Sequence, residues 1–171
     1  SSVTANFTTN FSNAVTGLSL SSSTFNGPGT LTNAASRTLT LVTNTINAPF
    51  VNSGLLVVQG SNTIGSAAGL FSNTAGGTIW VEGSTSGTGT LTVANGFTNA
   101  GLIELTNSLA GRAATLNVTT GTLVNTNTID ALAGAGGGTR TLGAQIDNQG
   151  TINTNLACTI NKASADHTSS G

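Results

Sequence analysis

Five carboxylates, Glu82, Glu104, Asp130, Asp147 and Asp166, are the side chains through which this sequence could do acid–base or metal chemistry. Glu104 and Asp130 hold the same place in two related stretches, Leu102-Ile103-Glu104 and Thr128-Ile129-Asp130, and Trp80 holds it in Thr78-Ile79-Trp80. Two adjacent carboxylates repel one another, which raises a pKa or attracts a cation, and an aromatic platform beside them suits contact with a sugar. Calcium takes six or more oxygens, and no repeated Asp-rich loop supplies them. Hydrolysis of a glycan would also need a defined partner group, which is not evident. Trp80, Glu104 and Asp130 are therefore expected as solvated side chains on an outer face, with contact to a sugar or cation as the functional alternative.

The remaining candidates point away from catalysis. His167, the sole histidine, follows Asp166 and precedes several serines, but no oxyanion hole is in prospect in this tail. Cys158, the sole cysteine, sits in Leu156-Ala157-Cys158-Thr159-Ile160 and is expected as a buried free thiol. One cysteine and one histidine do not make a structural zinc site. Arg37, Arg112, Arg140 and Lys162 are scattered, and Gly134-Ala135-Gly136-Gly137-Gly138 lacks the Gly-Lys-Ser/Thr ending of a phosphate-binding loop. No catalytic residue, metal or cofactor is predicted, and the chain is not expected to be an enzyme.

Composition sets the background for these residues. Charged residues make up 5% of the 171 residues and the formal net charge is −1, against roughly 25% charged in an ordinary soluble domain. Nothing here would attract nucleic acid or an anionic membrane. No apolar run reaches the length of a membrane span, and no basic, apolar-cored leader opens the chain, so membrane insertion is not expected. Apolar residues still make up 37%, enough for a core. A surface of Thr, Ser, Asn and Gly favours strands joined by tight turns.

A repeat organises the chain. Phe97-Thr98-Asn99-Ala100-Gly101-Leu102-Ile103 matches Leu123-Val124-Asn125-Thr126-Asn127-Thr128-Ile129 and Ile146-Asp147-Asn148-Gln149-Gly150-Thr151-Ile152, with further copies at Phe50, Phe71, Leu31 and Phe11. The anchor residues Asn13, Asn33, Asn52, Asn73, Asn99, Asn125 and Asn148 are spaced by 20, 19, 21, 26, 26 and 23 residues. That range fits one solenoid turn per repeat. A second motif, Leu91-Thr92-Val93, Leu116-Asn117-Val118 and Leu142-Gly143-Ala144, precedes the anchor, so each turn holds at least two strands.

Period-two reading places Phe97, Asn99, Gly101, Ile103 and Leu105 inward and Thr98, Ala100, Leu102 and Glu104 outward. An inward amide is costly alone, but like amides about 4.8 Å apart on parallel strands satisfy one another. Gly54, Gly77, Gly101, Asn127 and Gly150 recur two residues after the anchor, where a left-handed corner is expected. Asn95-Gly96 taken alone signals a hairpin and an antiparallel sandwich. Thr119-Thr120-Gly121 and Gln145 stand at the matching places and favour a corner instead. The predicted fold is all-β: a right-handed parallel β-helix of about 6–7 coils of 19–26 residues, with an inward Asn ladder. It comprises an irregular, strand-like N-terminal coil or end-covering segment at 1–30, repeats over 31–162 and a flexible tail at 163–171.

These units, over residues 31–160, resemble the β-helical repeats of bacterial cell-surface proteins such as filamentous-haemagglutinin-like and autotransporter-passenger adhesins. The resemblance implies a secreted, extracellular or cell-surface location and a structural or adhesive role. The leading expectation is a stalk or filament segment, extended by further repeats of the chain or by end-to-end self-association. Adhesion to glycan or cell surfaces through an outer face and the variable loops at 83–88, 106–113 and 131–139 is the second. Ice binding, suggested by Thr38, Thr40, Thr90 and Thr92, is a third, weakened because the matching positions become Asn117 and Gly143.

Overall fold

Short alternating stretches rich in Thr, Val, Ile and Leu form strands, and the tight corners between them turn the chain through three faces per coil. In a computed structural model describing residues 2–67 and 69–170, the chain is an all-β solenoid. Ser1 and Gly171, at the outer ends of the predicted first and last segments, lie outside the described residues.

Each coil contributes one strand to each of three faces. In the fifth coil these are Gly89–Val93 on the first face, Phe97–Asn99 on the second and Leu102–Asn107 on the third. The third face is a sheet of seven strands, which sets the number of complete turns at seven. An eighth turn is represented on the first and second faces by Cys158–Ile160 and Thr168–Ser169. Neighbouring coils pair in parallel, and a lone antiparallel bridge, Ser84 to Gly87, lies within a loop. In the sixth coil one strand, Ala114–Asn125, runs through the corner joining the first two faces, as does Arg140–Asn148 in the seventh. The parallel arrangement excludes the hairpin that Asn95-Gly96 would suggest on its own.

The core consists of columns of like side chains. Leu39, Leu56, Ile79, Ile103 and Ile129 stack in register behind the third face and are buried. Behind the second face Phe50, Phe71 and Phe97 stack with ring centroids 5.5 and 4.8 Å apart. Parallel register brings like residues together at every step, so one kind of side chain per position fills the whole column.

The same register builds the amide ladder. Asn13 Nδ2 donates to Asn33 Oδ1 at 2.8 Å, Asn33 to Asn52 at 2.7 Å, and Asn52 to Asn73 at 2.7 Å. The series continues from Asn73 to Asn99 at 2.7 Å, Asn99 to Asn125 at 2.8 Å and Asn125 to Asn148 at 2.7 Å. All seven anchor asparagines are buried. Spare amide protons reach backbone carbonyls of the next corner, as from Asn99 Nδ2 to Thr128 O at 3.2 Å.

One expectation needs correction. None of Gly54, Gly77, Gly101, Asn127 and Gly150 has a left-handed backbone. Glycine is needed there for close approach: a Cβ on Gly101 would lie 2.1 Å from Gly77 O, and one on Gly150 would lie 2.1 Å from Asn127 O. Left-handed residues recur instead at the corner from third to first face, at Ser22 (φ 50), Thr43 (φ 59) and Gly60 (φ 63) in successive coils, while Ser36 (φ 60) is left-handed at the second-to-third corner of the second coil. The terminal segments carry short strands as well. Thr4–Asn6, Phe11–Ser12 and Leu18–Ser21 pair in register with the second coil, and Thr168–Ser169 pairs with Asp147 and Asn148. These short strands carry the register into both ends despite their weaker repeat.

The close approach yields a paired prediction. Gly101→Ala drives a methyl group into Gly77 O and should cost about 2 kcal/mol or more by urea unfolding. Asn127 already carries a Cβ at this position, and there the bond from Thr128 N to Gly101 O stretches to 3.4 Å, against 2.8 Å from Thr78 N to Gly54 O. Asn127→Gly should leave the unfolding midpoint unchanged or raise it.

Candidate functional site

The third face carries the acidic residues that the sequence singles out. Register places Val57, Trp80, Glu104, Asp130 and Asn153 on successive coils in one outward column. Trp80 is 36% exposed, unusual for a large aromatic ring on a surface of small side chains. Asp130 Oδ1 accepts from Asn153 Nδ2 at 2.8 Å, while Glu104 lies between Trp80 and Asp130. Burial against these neighbours raises the Glu104 pKa above the ordinary glutamate value, and the Asp130 charge adds to the rise. Glu82, two residues along from Trp80, accepts from the Gln59 amide of the preceding coil. A groove of about 150 Å³ runs past Trp80, Glu82, Glu104 and Ser108 to Leu132. Among the described residues no group of three or more His, Cys, Asp or Glu is placed to hold a metal ion.

Loops follow the third-face strands of three successive coils, at residues 84–88, 108–113 and 132–139, and Ser108 and Leu132 of the second and third line the groove. The loops stack as the strands do, Ser108 N donating to Gly83 O at 2.9 Å and Gly111 N to Gly136 O at 2.8 Å. Gly134, Gly136, Gly137 and Gly138 all have positive φ, which accounts for the glycine run as turn geometry.

Beneath these loops lies a feature that the sequence reading missed. Arg140 is fully buried, and its guanidinium donates to the carbonyls of Leu105, Arg112, Leu132, Ala133 and Thr139 over 2.9–3.4 Å. The flat five-donor fork of arginine suits such a ring of carbonyls. Burial lowers its pKa. The signal was present: Arg140-Thr141-Leu142 aligns with Ala114-Thr115-Leu116, whose alternation turns position 140 inward. Asn107 joins the same clamp, donating to Arg112 O at 3.0 Å and to Gly136 O and Gly137 O at 3.2 Å, while its Oδ1 has no partner.

Cys158 is half-buried and free, one rung beyond Arg140, and burial raises its thiol pKa despite the arginine's opposing influence. His167 Nδ1 accepts from Ile146 N at 3.2 Å, which ties the tail to the last coil. Near it, Thr168 Oγ1 donates to Asp147 at 2.9 Å.

The first face presents the most regular array of like polar groups. Thr4, Thr24, Thr45, Thr63 and Thr92 form one outward column across five coils. Beside it Ser61, Thr90, Thr115, Thr141 and Thr159 form a second column across the next five, starting from the Ser61 coil. On the other side, Asn47 Nδ2 donates to Asn26 Oδ1 and Asn26 Nδ2 to Asn6 Oδ1, each at 2.9 Å. Thr38 and Thr40, grouped in the sequence reading with Thr90 and Thr92, lie on the third face instead.

Fold and site together define a class, the three-faced parallel β-solenoid with an internal asparagine ladder. The chain matches no protein-family model, no curated protein and no solved structure.

The raised pKa of Glu104 has a defined sign. The folded protein holds this proton more tightly than the unfolded chain, so stability contributed by the protonated acid is lost as pH rises through the raised pKa. Glu104→Gln should therefore be the more stable protein at pH 7, by no more than about 1 kcal/mol after solvent screening. That advantage should close as the pH falls below the ordinary glutamate range, with both proteins followed by thermal unfolding across pH.

Proposed function

We propose that this chain is a structural segment of an extracellular rod, a stalk or filament at a cell surface, lengthened by further coils of the same kind or by head-to-tail stacking. The observation that carries this reading is the pair of unlike edges at the ends of the solenoid. Parallel strands and a one-way amide ladder give the rod a direction. Each Nδ2 points toward the following coil, so Asn13 presents one end of the ladder and Asn148, next to Ser169 Oγ at 3.4 Å, the other.

The last third-face strand, Thr151–Thr154, pairs with the preceding coil on one side only. Ile160 beside it is 47% exposed, and a hollow of about 470 Å³ opens among Ile146, Ile152, Ile160 and His167. At the opposite end Phe11 is 40% exposed and stacks on Phe7 at 5.4 Å. Unpaired parallel edges with apolar rungs recruit a further strand layer, and here the partner edge must run the same way. The uncharged Thr, Ser and Asn surface and the resemblance to cell-surface β-helical repeats support the extracellular setting.

The exposed Trp80 beside Glu104 favours a second role for the same rod, contact with glycans along its third face.

Electron microscopy of the purified chain over a range of concentrations tests the assembly. Stacking predicts rods that lengthen with concentration in steps of roughly 35 Å, about seven rungs at about 4.8 Å each. Ile160→Lys should shorten them. Single particles at every concentration would overturn the stacking.

A further inference from the structure

The first face differs chemically from the other two. The third face carries Glu82, Glu104 and Asp130, and the second carries Asp147. No outward strand position of the first face bears a charge.

What it presents instead is one continuous polar column, Thr4, Thr24, Thr45, Thr63, Thr92 and Asn117, flanked on one side by Asn6, Asn26 and Asn47 in the first three coils and on the other by Ser61, Thr90 and Thr115 in the next three. Six consecutive coils each offer two hydrogen-bonding side chains on alternate residues, beginning with Thr4 and Asn6 and ending with Thr115 and Asn117. Parallel pairing repeats these groups at about 4.8 Å along the axis, and strand pleating sets them roughly 6.7 Å apart along each coil. Threonine adds stiffness, because branching at Cβ restricts χ1 and holds hydroxyl and methyl in place. The Asn6, Asn26 and Asn47 amides fix one another through their own hydrogen bonds.

The character of this face narrows its partner. A nucleic acid would call for Lys and Arg. A divalent cation would need carboxylates. A protein partner is anchored by aromatic residues and Arg, and the large exposed aromatics among the strands, Phe11 and Trp80, lie on the second and third faces. The partner that complements stiff, neutral donors and acceptors interleaved with methyl groups is itself a neutral, periodic hydrogen-bonding lattice.

We infer that the first face binds ice. Hydroxyls and amides held at lattice intervals order the water above them before contact, so joining a crystal surface costs little further ordering. The threonine methyls fill the hollows between bound waters. This function goes beyond the structural role proposed above and does not depend on stacking, since the array lies on the flank of a single rod.

The test compares the native chain with Thr63→Tyr and Thr92→Tyr, which place a bulky ring in the middle of the array, and with Thr98→Tyr on the second face as a control. Thermal hysteresis and partition into a slowly growing ice front are measured on proteins shown by circular dichroism to keep the β fold. Native protein and Thr98→Tyr should show hysteresis and enrichment in ice, while Thr63→Tyr and Thr92→Tyr lose most of both. A native chain excluded from ice, or equal loss in all three variants, would overturn the inference. So would pull-down on crystalline cellulose or chitin by native protein without any ice activity.

Discussion

Everything in this molecule depends on like residues meeting at every rung. An asparagine side chain turned into an apolar core leaves two donors and an acceptor to satisfy, at a cost of about 1–3 kcal/mol for each group left unpaired. In a parallel stack each amide donates to the next, so the cost disappears wherever the register is kept. The register is thereby enforced, because a slip of one residue would turn the amide out and the neighbouring polar side chain in. Columns of Leu, Ile and Phe fill the interior, but one apolar residue substitutes for another with little loss of specificity. The amide column fixes which residue faces which.

The other constraints follow from that stacking. Where coils press closest, no Cβ fits between the backbones, which explains Gly77 and Gly101 without any unusual dihedral angle. Length variation is confined to corners, and the long loops that follow the third-face strands of the fourth to sixth coils emerge at one corner, from third to first face, where they stack. Arg140 closes the space beneath them: the carbonyls of Leu105, Arg112, Leu132, Ala133 and Thr139 converge on one guanidinium. A loop region enlarged by insertion is thus held by a single buried cation, and the strands on either side stay in register.

Much of this architecture is legible in the sequence because a solenoid writes its packing as a repeat. The anchor asparagines and the column from Trp80 through Glu104 to Asp130 were both set by alignment of the coils alone. The corner glycines were located correctly, but their cause was misread, since spacing shows where a glycine recurs and is silent on whether dihedral freedom or bulk demands it. Of the first-face threonine columns only Thr90 and Thr92 were singled out, for a different reason. Thr4, Thr24 and Thr45 lie in coils whose first-face strands are only two or three residues long, too short to display alternation. Arg140 was hidden by its charge, which argues for the surface unless the alternation around it is given priority. Asn44 and Asn62 were missed likewise: both are buried, and Asn44 N donates to Asn62 Oδ1 at 2.7 Å at the third-to-first corner.

Three faces built on one ladder allow separate surface chemistries, acidic with an exposed indole on the third and neutral and periodic on the first, because outward residues are free of the constraints that fix the inward ones. Equilibrium urea unfolding of Asn99→Ala beside Asn148→Ala tests the amide column most directly. Asn99 is bonded to amides on both sides, and Asn148 to an amide on one side only. A cooperative ladder predicts a loss of about 2–4 kcal/mol at Asn99 and a distinctly smaller loss at Asn148. Equal small losses at both positions would contradict it, leaving the apolar columns alone to hold the coils in register.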